Sequence, residues 1–239
     1  MDPLRAMMQR GNTQAARQWL MALPCPEVRD PETGETALHV LAEFDAEVLF
    51  RQQLRRMPMP DILDEFGRGP SHVAAINNHP AHLHALASAR ADMDMKGLNG
   101  NAPIHDAALH RAIDAICALH RAQANLTAKD CCGDTAGHLV IEGPRCLRTL
   151  HTLLQCGADP DAQNMHGDTL LHCAVAHNFV QAIPLLHHYG ARTGIRNHQG
   201  LTADLVRTGN GSNDSAAAAA VMRERFIRTI AAHPREESC

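Results

Sequence analysis

GDTLLHCAVAHN, residues 167–178, sets two histidines and a cysteine close together at what reads as a helix start. Taken alone it suggests a metal or nucleophile site. Its siblings argue otherwise. GETALH begins at Gly34, GRGPSH at Gly67, GNAPIH at Gly100, GDTAGH at Gly133 and GLTADL at Gly200, so the spacings are 33, 33, 33, 34 and 33 residues. Such a period marks a repeat architecture, in which each row buries its apolar face only against its neighbours. Later in each row a second apolar stretch ends in a turn, as in LHALASARADMD (83–94), ICALHRAQANLT (116–127), LHTLLQCGADPD (150–161) and IPLLHHYGARTG (183–194). Each row is therefore expected to hold two short helices and a loop.

Composition agrees. Of the 239 residues 45% are apolar but only 3% aromatic, so the core must be built from Ala, Leu, Ile, Val and Met. That suits packed helices better than a β-sandwich, where aromatic and β-branched residues are enriched. The net charge of -4 leaves no basic footprint for nucleic acid. No apolar run approaches the ~20 residues that span a bilayer, so no membrane association is expected. MDPLRAMMQRGN shows no secretory signal, and the eight cysteines are expected as reduced thiols in the cytoplasm.

Physical chemistry explains the repeated residues. Thr36, Thr135 and Thr169 (with Thr202) stand where a helix N-cap belongs, a role worth ~1 kcal/mol. Where threonine is missing, at Gly69 and Ala102, Pro70 or Pro103 follows, and proline at the first helical position needs no N–H partner. Asp64, Asp130, Asn164 and Asn197 precede the row glycines by three residues, which suits side-chain-stabilised turns.

The rows resemble ankyrin repeats, whose hallmark is T-P-L-H followed later by L-L-x-x-G-A-D. TALH (36–39), APIH (102–105), TLLH (169–172) and CGADPDAQN (156–164) carry the likeness, which extends over essentially the whole chain. It implies an all-α ankyrin-repeat solenoid, each row a helix–turn–helix plus a β-hairpin finger. N-terminal capping helices would occupy 1–29 and five repeats 30–199, starting near 30, 63, 96, 129 and 163. A C-terminal capping repeat would fill 200–232 around a mobile loop at 208–214, with a disordered tail at 233–239. The resemblance also makes His39, His72, His105, His138 and His172 structural groups that tie each helix start to loop backbone.

Binding, by the same resemblance, uses the finger tips and a concave groove along the inner helices. The finger candidates are Phe66, Arg68, Asn99, Asn101, Asp134, His166 and Asp168. Along the groove they are Glu43, Phe44, Ile76, Asn77, Leu109, His110 and His177. Phe44, Phe66, Ile76 and Leu109 are apolar where the pattern predicts exposure, which places a partner on the first three rows. The expected function is a non-enzymatic scaffold, monomeric alone, that binds another protein and holds no cofactor. One alternative is a bacterial effector in a host cytosol: only Lys96 and Lys129 among 22 basic residues are lysines, which would limit ubiquitin attachment. A metal-binding or enzymatic protein is a further alternative.

That last alternative finds little support. Cys131–Cys132 near His138 matches no zinc spacing and reads as exposed turn residues. His79, His82 and His84 read as solvated outer-helix histidines. His172 and Cys173 are adjacent on a helix, about 100° apart, and cannot form a catalytic pair with each other. Three departures carry structural expectations: Gly137 replaces a core leucine and predicts weak packing in the fourth row, TADL (202–205) lacks the histidine, and Pro184 predicts a kinked or late helix.

Overall fold

A computed structural model describes residues 2–57 and 59–206. The expected loop at 208–214, the helix at 214–232 and the tail at 233–239 lie outside the described residues. Twelve α-helices and one 3₁₀ turn, Ala203–Leu205, occur among them. The first two, α1 (Asp2–Gln9) and α2 (Thr13–Ala22), flank Gly11, whose φ is +68°. Five pairs follow: α3 (Ala37–Glu43) with α4 (Glu47–Leu54), α5 (Pro70–Ile76) with α6 (Pro80–Ser88), α7 (Pro103–Leu109) with α8 (Ile113–Arg121), α9 (Ala136–Glu142) with α10 (Leu147–Gln155), and α11 (Leu170–Ala176) with α12 (Ala182–His188). The described residues divide into two compact units, with the boundary between Asp130 and Cys131. In the first, α3, α5 and α7 stack as an inner layer and α4, α6 and α8 as an outer one. In the second, α9 packs on α11 and α10 on α12.

The inner helices have seven residues each, too few to be stable in isolation. Their stability comes from stacking. Ala74, Ala75, Ala107 and Ala108 are fully or almost fully buried, and such small side chains let neighbouring backbones approach closely. Among the described residues Phe50 is the one aromatic of the largest fully buried side chains, so the core is otherwise aliphatic, as composition requires.

Each inner helix starts in the same way. The N-cap backbone N–H donates to Nδ1 of the row histidine: Thr36 to His39 at 3.0 Å, Gly69 to His72 at 3.1 Å, Ala102 to His105 at 3.0 Å, Thr135 to His138 and Thr169 to His172 at 3.2 Å. This is a capping box with histidine in the place usually held by Glu or Gln. The other ring nitrogen reaches the following finger: His39 Nε2–H donates to the Arg68 carbonyl at 2.9 Å, His72 to Asn101, His138 to Asp168 and His172 to Leu201 at 3.0 Å. The histidines are scaffold, and the GDTLLH stretch is one helix start among five.

The fingers differ from the expected β-hairpins. Among the described residues the only bridge is Arg29–Thr36. In the second, fifth and sixth fingers a side chain replaces the second rung. The Asp64 N–H donates to the Arg68 carbonyl at 2.8 Å, while the return bond from the Arg68 N–H ends on Asp64 Oδ1, also at 2.8 Å. Asn164 and Asn197 accept the same pairs of N–H groups in their own fingers.

Two expectations about departures are settled. α12 begins at Ala182, and Pro184 falls in its first turn, where a missing N–H leaves no helical bond unmade. The helix is late, as one of the two options foresaw. Gly137, however, does not loosen its row. A Cβ added there would lie 2.9 Å from Cδ1 of Leu170. Leu170 occupies a position held by Ala37, Pro70, Pro103 and Ala136 in the other rows, and it fills the space the glycine leaves.

Candidate functional site

The second and third fingers of the first unit meet at glycine. Gly67 has a φ of +70°, and a Cβ there would lie 2.5 Å from the Leu98 backbone nitrogen. Only glycine combines that conformation with that approach. Beneath this junction lies a cleft of about 340 Å³, lined by Phe66, Arg68, His72, Leu98, Asn101 and Asp106 among others. Its lip is apolar: Phe66 is 61% exposed and Leu98 74% exposed. The Arg68 guanidinium carbon sits 4.9 Å from the Phe66 ring centroid, and its nitrogens are held by Asp64 at 2.8 Å and, more loosely, by Glu35 at 3.8 Å.

At the floor stands Asp106, only 9% exposed. Burial raises its carboxyl above the ordinary carboxylate range, against the opposing pull of His72, His110, His105 and Arg68. The equivalent residues of the other rows are Val40, Val73, Leu139 and Cys173. A buried acid therefore occupies a column that is otherwise apolar or, at Cys173, a buried thiol.

The cleft joins four of the proposed finger residues, Phe66, Arg68, Asn99 and Asn101. In the second unit His166 is exposed, whereas Asp134 and Asp168 are tied down. Asn164 Nδ2 donates to Asp134 at 2.8 Å and Asn197 Nδ2 to Asp168 at 2.7 Å. The groove residues are less open than the pattern suggests. Phe44, Ile76, Leu109 and His177 are half-buried, so of the four apolar candidates only Phe66 is exposed. Asn77 and His110 are exposed but bond back to their own helices, at the Val73 and Asp106 carbonyls. Glu43 is spent on Arg5 of α1, whose guanidinium it shares with Glu35. Sequence reasoning missed Leu98, two residues before its row glycine, and Asp106. The aligned column at 40, 73, 106, 139 and 173 carried a signal for Asp106; nothing distinguished Leu98.

The other chemical candidates do not assemble. His82 is fully buried rather than solvated, packed edge-on against Phe50 at 4.3 Å. His79 Nδ1 bonds the Ala42 carbonyl at 3.0 Å, so this ring serves structure. Cys131 and Cys132 are exposed, as expected of turn residues, with sulfurs 4.0 Å apart. Burial, helped by Glu142, Asp168 and Asp134, pushes the Cys173 thiol far up, the reverse of what a nucleophile needs. A wider cleft of about 640 Å³ lies between α2 and residues 45–52. Its charged groups Arg17, Asp45 and Glu47 are all exposed, so no buried charge lines it. No helix among the described residues is long and apolar enough to cross a membrane.

Comparison with known proteins agrees with the repeat. Residues 138–187 match the family model for ankyrin repeats (many copies). NF-kappa-B inhibitor alpha of Sus scrofa is 26% identical over 164 residues, 67% of this chain and 43% of that protein. SH3 and multiple ankyrin repeat domains protein 2 of Homo sapiens is 29% identical over 181 residues, 74% of this chain and 10% of that protein. The chain thus spans less than half the length of these curated relatives. The crystal structure of the ankyrin repeat domain of Bcl-3 superposes with a TM-score of 0.79 at 21% identity, covering 96% of this chain and 97% of that one. An ankyrin repeat domain from Acinetobacter baumannii gives 0.66 at 23% identity, over 82% of this chain and 96% of that one. Row period, histidine-capped helix starts and these likenesses converge on an all-α ankyrin-repeat fold, with residues 138–187 matched to the ankyrin-repeat family model.

Proposed function

We propose that this protein is a non-enzymatic scaffold that binds a partner protein through the second and third fingers and the inner-helix face beneath them. The observation that carries the reading is the lip of the cleft, where two large apolar side chains stand side by side in water. Phe66 and Leu98 are each more than half exposed and sit over a recess instead of on a flat surface. Contiguous exposed apolar groups of this kind mark interaction sites more often than single ones do. The row histidines are committed to backbone, and the Cys173 thiol is buried with its pKa raised, which favours binding over catalysis. We place this activity in the cytoplasm. The test is affinity capture with the wild type, Phe66→Ala/Leu98→Ala and the exposed control Val48→Ala. The cleft double variant should lose partners that Val48→Ala retains. Equal recovery by all three would remove the assignment.

A second reading, an effector working in a host cytosol, rests on the lysine count alone. Both lysines, Lys96 and Lys129, are exposed. Introducing lysine at exposed Arg10, Arg55 and Arg121 should shorten the protein's half-life in eukaryotic cells; an unchanged half-life speaks against it.

A further inference from the structure

We propose that the cleft between the second and third fingers receives the side chain of an arginine from a partner segment, with Asp106 as its counter-charge and Phe66 and Leu98 flanking its aliphatic stem. This rests on the groove reading above and adds to it the chemistry of the residue recognised.

The argument starts from a cost. Asp106 replaces the Val, Leu or Cys of the other rows, and a buried carboxylate is destabilising unless it is paired. Among the described residues no hydrogen bond or ion pair reaches its side chain; its neighbours act on it only through charge. The nearby guanidinium, Arg68, is already taken by Asp64 and stacked on Phe66. The His72 ring uses both nitrogens on backbone, at Gly69 and Asn101. His105 Nδ1 is likewise given to Ala102, and His110 Nδ1 to the Asp106 backbone carbonyl. The fold leaves this acid without a partner, and the acid borders an open cleft.

The remaining polar groups favour a fork of donors over a point charge. At three other finger junctions the carbonyl before the row glycine accepts a backbone bond from the next finger: Thr33 from Glu65, Cys132 from Met165 and His166 from His198. The Phe66 carbonyl receives no such bond among the described residues. The third finger also has Gly97 where the second, fourth, fifth and sixth rows have Asp or Asn, so no side chain fills that corner. Asp106, Phe66, Asn99 and Asn101 all line this one recess, so it offers a carboxylate together with amide and carbonyl groups able to accept. A planar guanidinium with five donors can satisfy several of them at once, and it is less strongly hydrated than an ammonium. The apolar lip suits its three methylenes.

The test uses peptides selected by display against the full chain, with affinities measured by fluorescence anisotropy. Peptides enriched on the wild type should share one arginine. Replacing it with citrulline, or changing Asp106→Asn, should each weaken binding about 10- to 100-fold. The two losses should not add, because they remove the same interaction. Asp106→Leu restores the aliphatic character of its column, so its expected binding loss cannot be unfolding; a urea titration of the same sample checks this. If affinity survives citrulline and Asp106→Asn but falls with Phe66→Ala/Leu98→Ala, the arginine site is wrong and the groove stands. Lysine in place of arginine, or no enrichment over Asp106→Leu, also overturns it. Indifference to all of these variants sinks the groove reading as well.

Discussion

The third and fourth inner helices each break the repeat at a buried position. In the fourth, Gly137 takes the place of Leu38, Ile104 and Leu171, and the adjoining row answers with Leu170 where others have Ala or Pro. In the third, Asp106 takes the place of Val40 and Val73, and among the described residues no side chain forms a hydrogen bond or ion pair with it. One departure is compensated by packing and the other is left open. A repeat array provides this contrast because every position has internal references: a mended break reports drift within the core, whereas an unmended one keeps a cost that needs another explanation.

The contrast is broken most severely by restoring the pattern where it has been mended. Even a Cβ at Gly137 would meet Leu170 at 2.9 Å, so Gly137→Leu must displace packed side chains. Overpacking of this kind costs about 3 kcal/mol, seen as a lower urea midpoint at unchanged slope. Gly137→Leu/Leu170→Ala should recover most of the loss. Additive losses would mean that the two residues are not a compensating pair.

His82 is a second unmended break. Its column holds Leu49, Ala115, Thr149 and Ala182, its ring is buried, and among the described residues neither ring nitrogen makes a well-formed hydrogen bond, the Ala46 backbone exerting only a minor pull. Burial, with a smaller push from His79, lowers its pKa from 6.5 to about 4. The unfolded chain therefore binds the proton first as pH falls. His82 contributes no pH dependence above 6.5, and stability should drop between pH 6.5 and 4 by on the order of 3 kcal/mol. Burial lowers His39 as well, adding to the same slope. His82→Leu should flatten the dependence of unfolding free energy on pH; a slope identical to wild type would mean that the ring is hydrated.

How much of this was legible in the sequence follows the same division. The helix pairs, the histidine caps and the glycine turns could be read because each recurs at a fixed offset, so five or six copies vote on one position. Compensation between rows could not. Gly137 looks like a loss until Leu170 is seen beside it, and the two stand 33 residues apart in columns that give no hint of contact. Exposure failed for a similar reason. Phe44, Ile76 and Leu109 lie on a face the pattern leaves open, yet each is half-buried, because burial depends on neighbours that the row pattern does not specify. The hairpin fingers differ in detail because in three of them an Asp or Asn side chain supplies the bond that a second backbone rung would make.

Asp106→Leu tests the open break from the stability side. Removing an unpaired, nearly buried acid should raise the unfolding free energy by about 1–2 kcal/mol at neutral pH. The gain should shrink at low pH, because the raised pKa protonates the wild-type carboxyl earlier than in the unfolded chain. That is the behaviour expected of a residue held for binding at the expense of folding. A loss of stability would show that the carboxylate is satisfied in the free protein and would weaken its assignment as a counter-charge.

The smallest effect separates rows that share a backbone but not a residue. After the outer helices α6, α8, α10 and α12 the chain turns through a left-handed residue: Arg90 at φ +61°, Gln123 at +61°, Gly157 at +95° and Gly190 at +88°. The bonds are the same throughout; the N–H after each left-handed residue returns to Leu86, Leu119, Leu153 or Leu186 at 3.0 Å. This is the glycine-favouring helix stop. The second and third rows hold it with side chains that the conformation disfavours by about 1–2 kcal/mol. Gln123→Gly relieves that strain but gives the unfolded chain more freedom, so the net gain should be at most ~1 kcal/mol. Gly157→Gln should cost a similar amount in the other direction. Opposite signs of equal size would show that the rows differ here in residue alone; a Gln123→Gly loss would mean that the glutamine side chain holds the turn by contacts of its own.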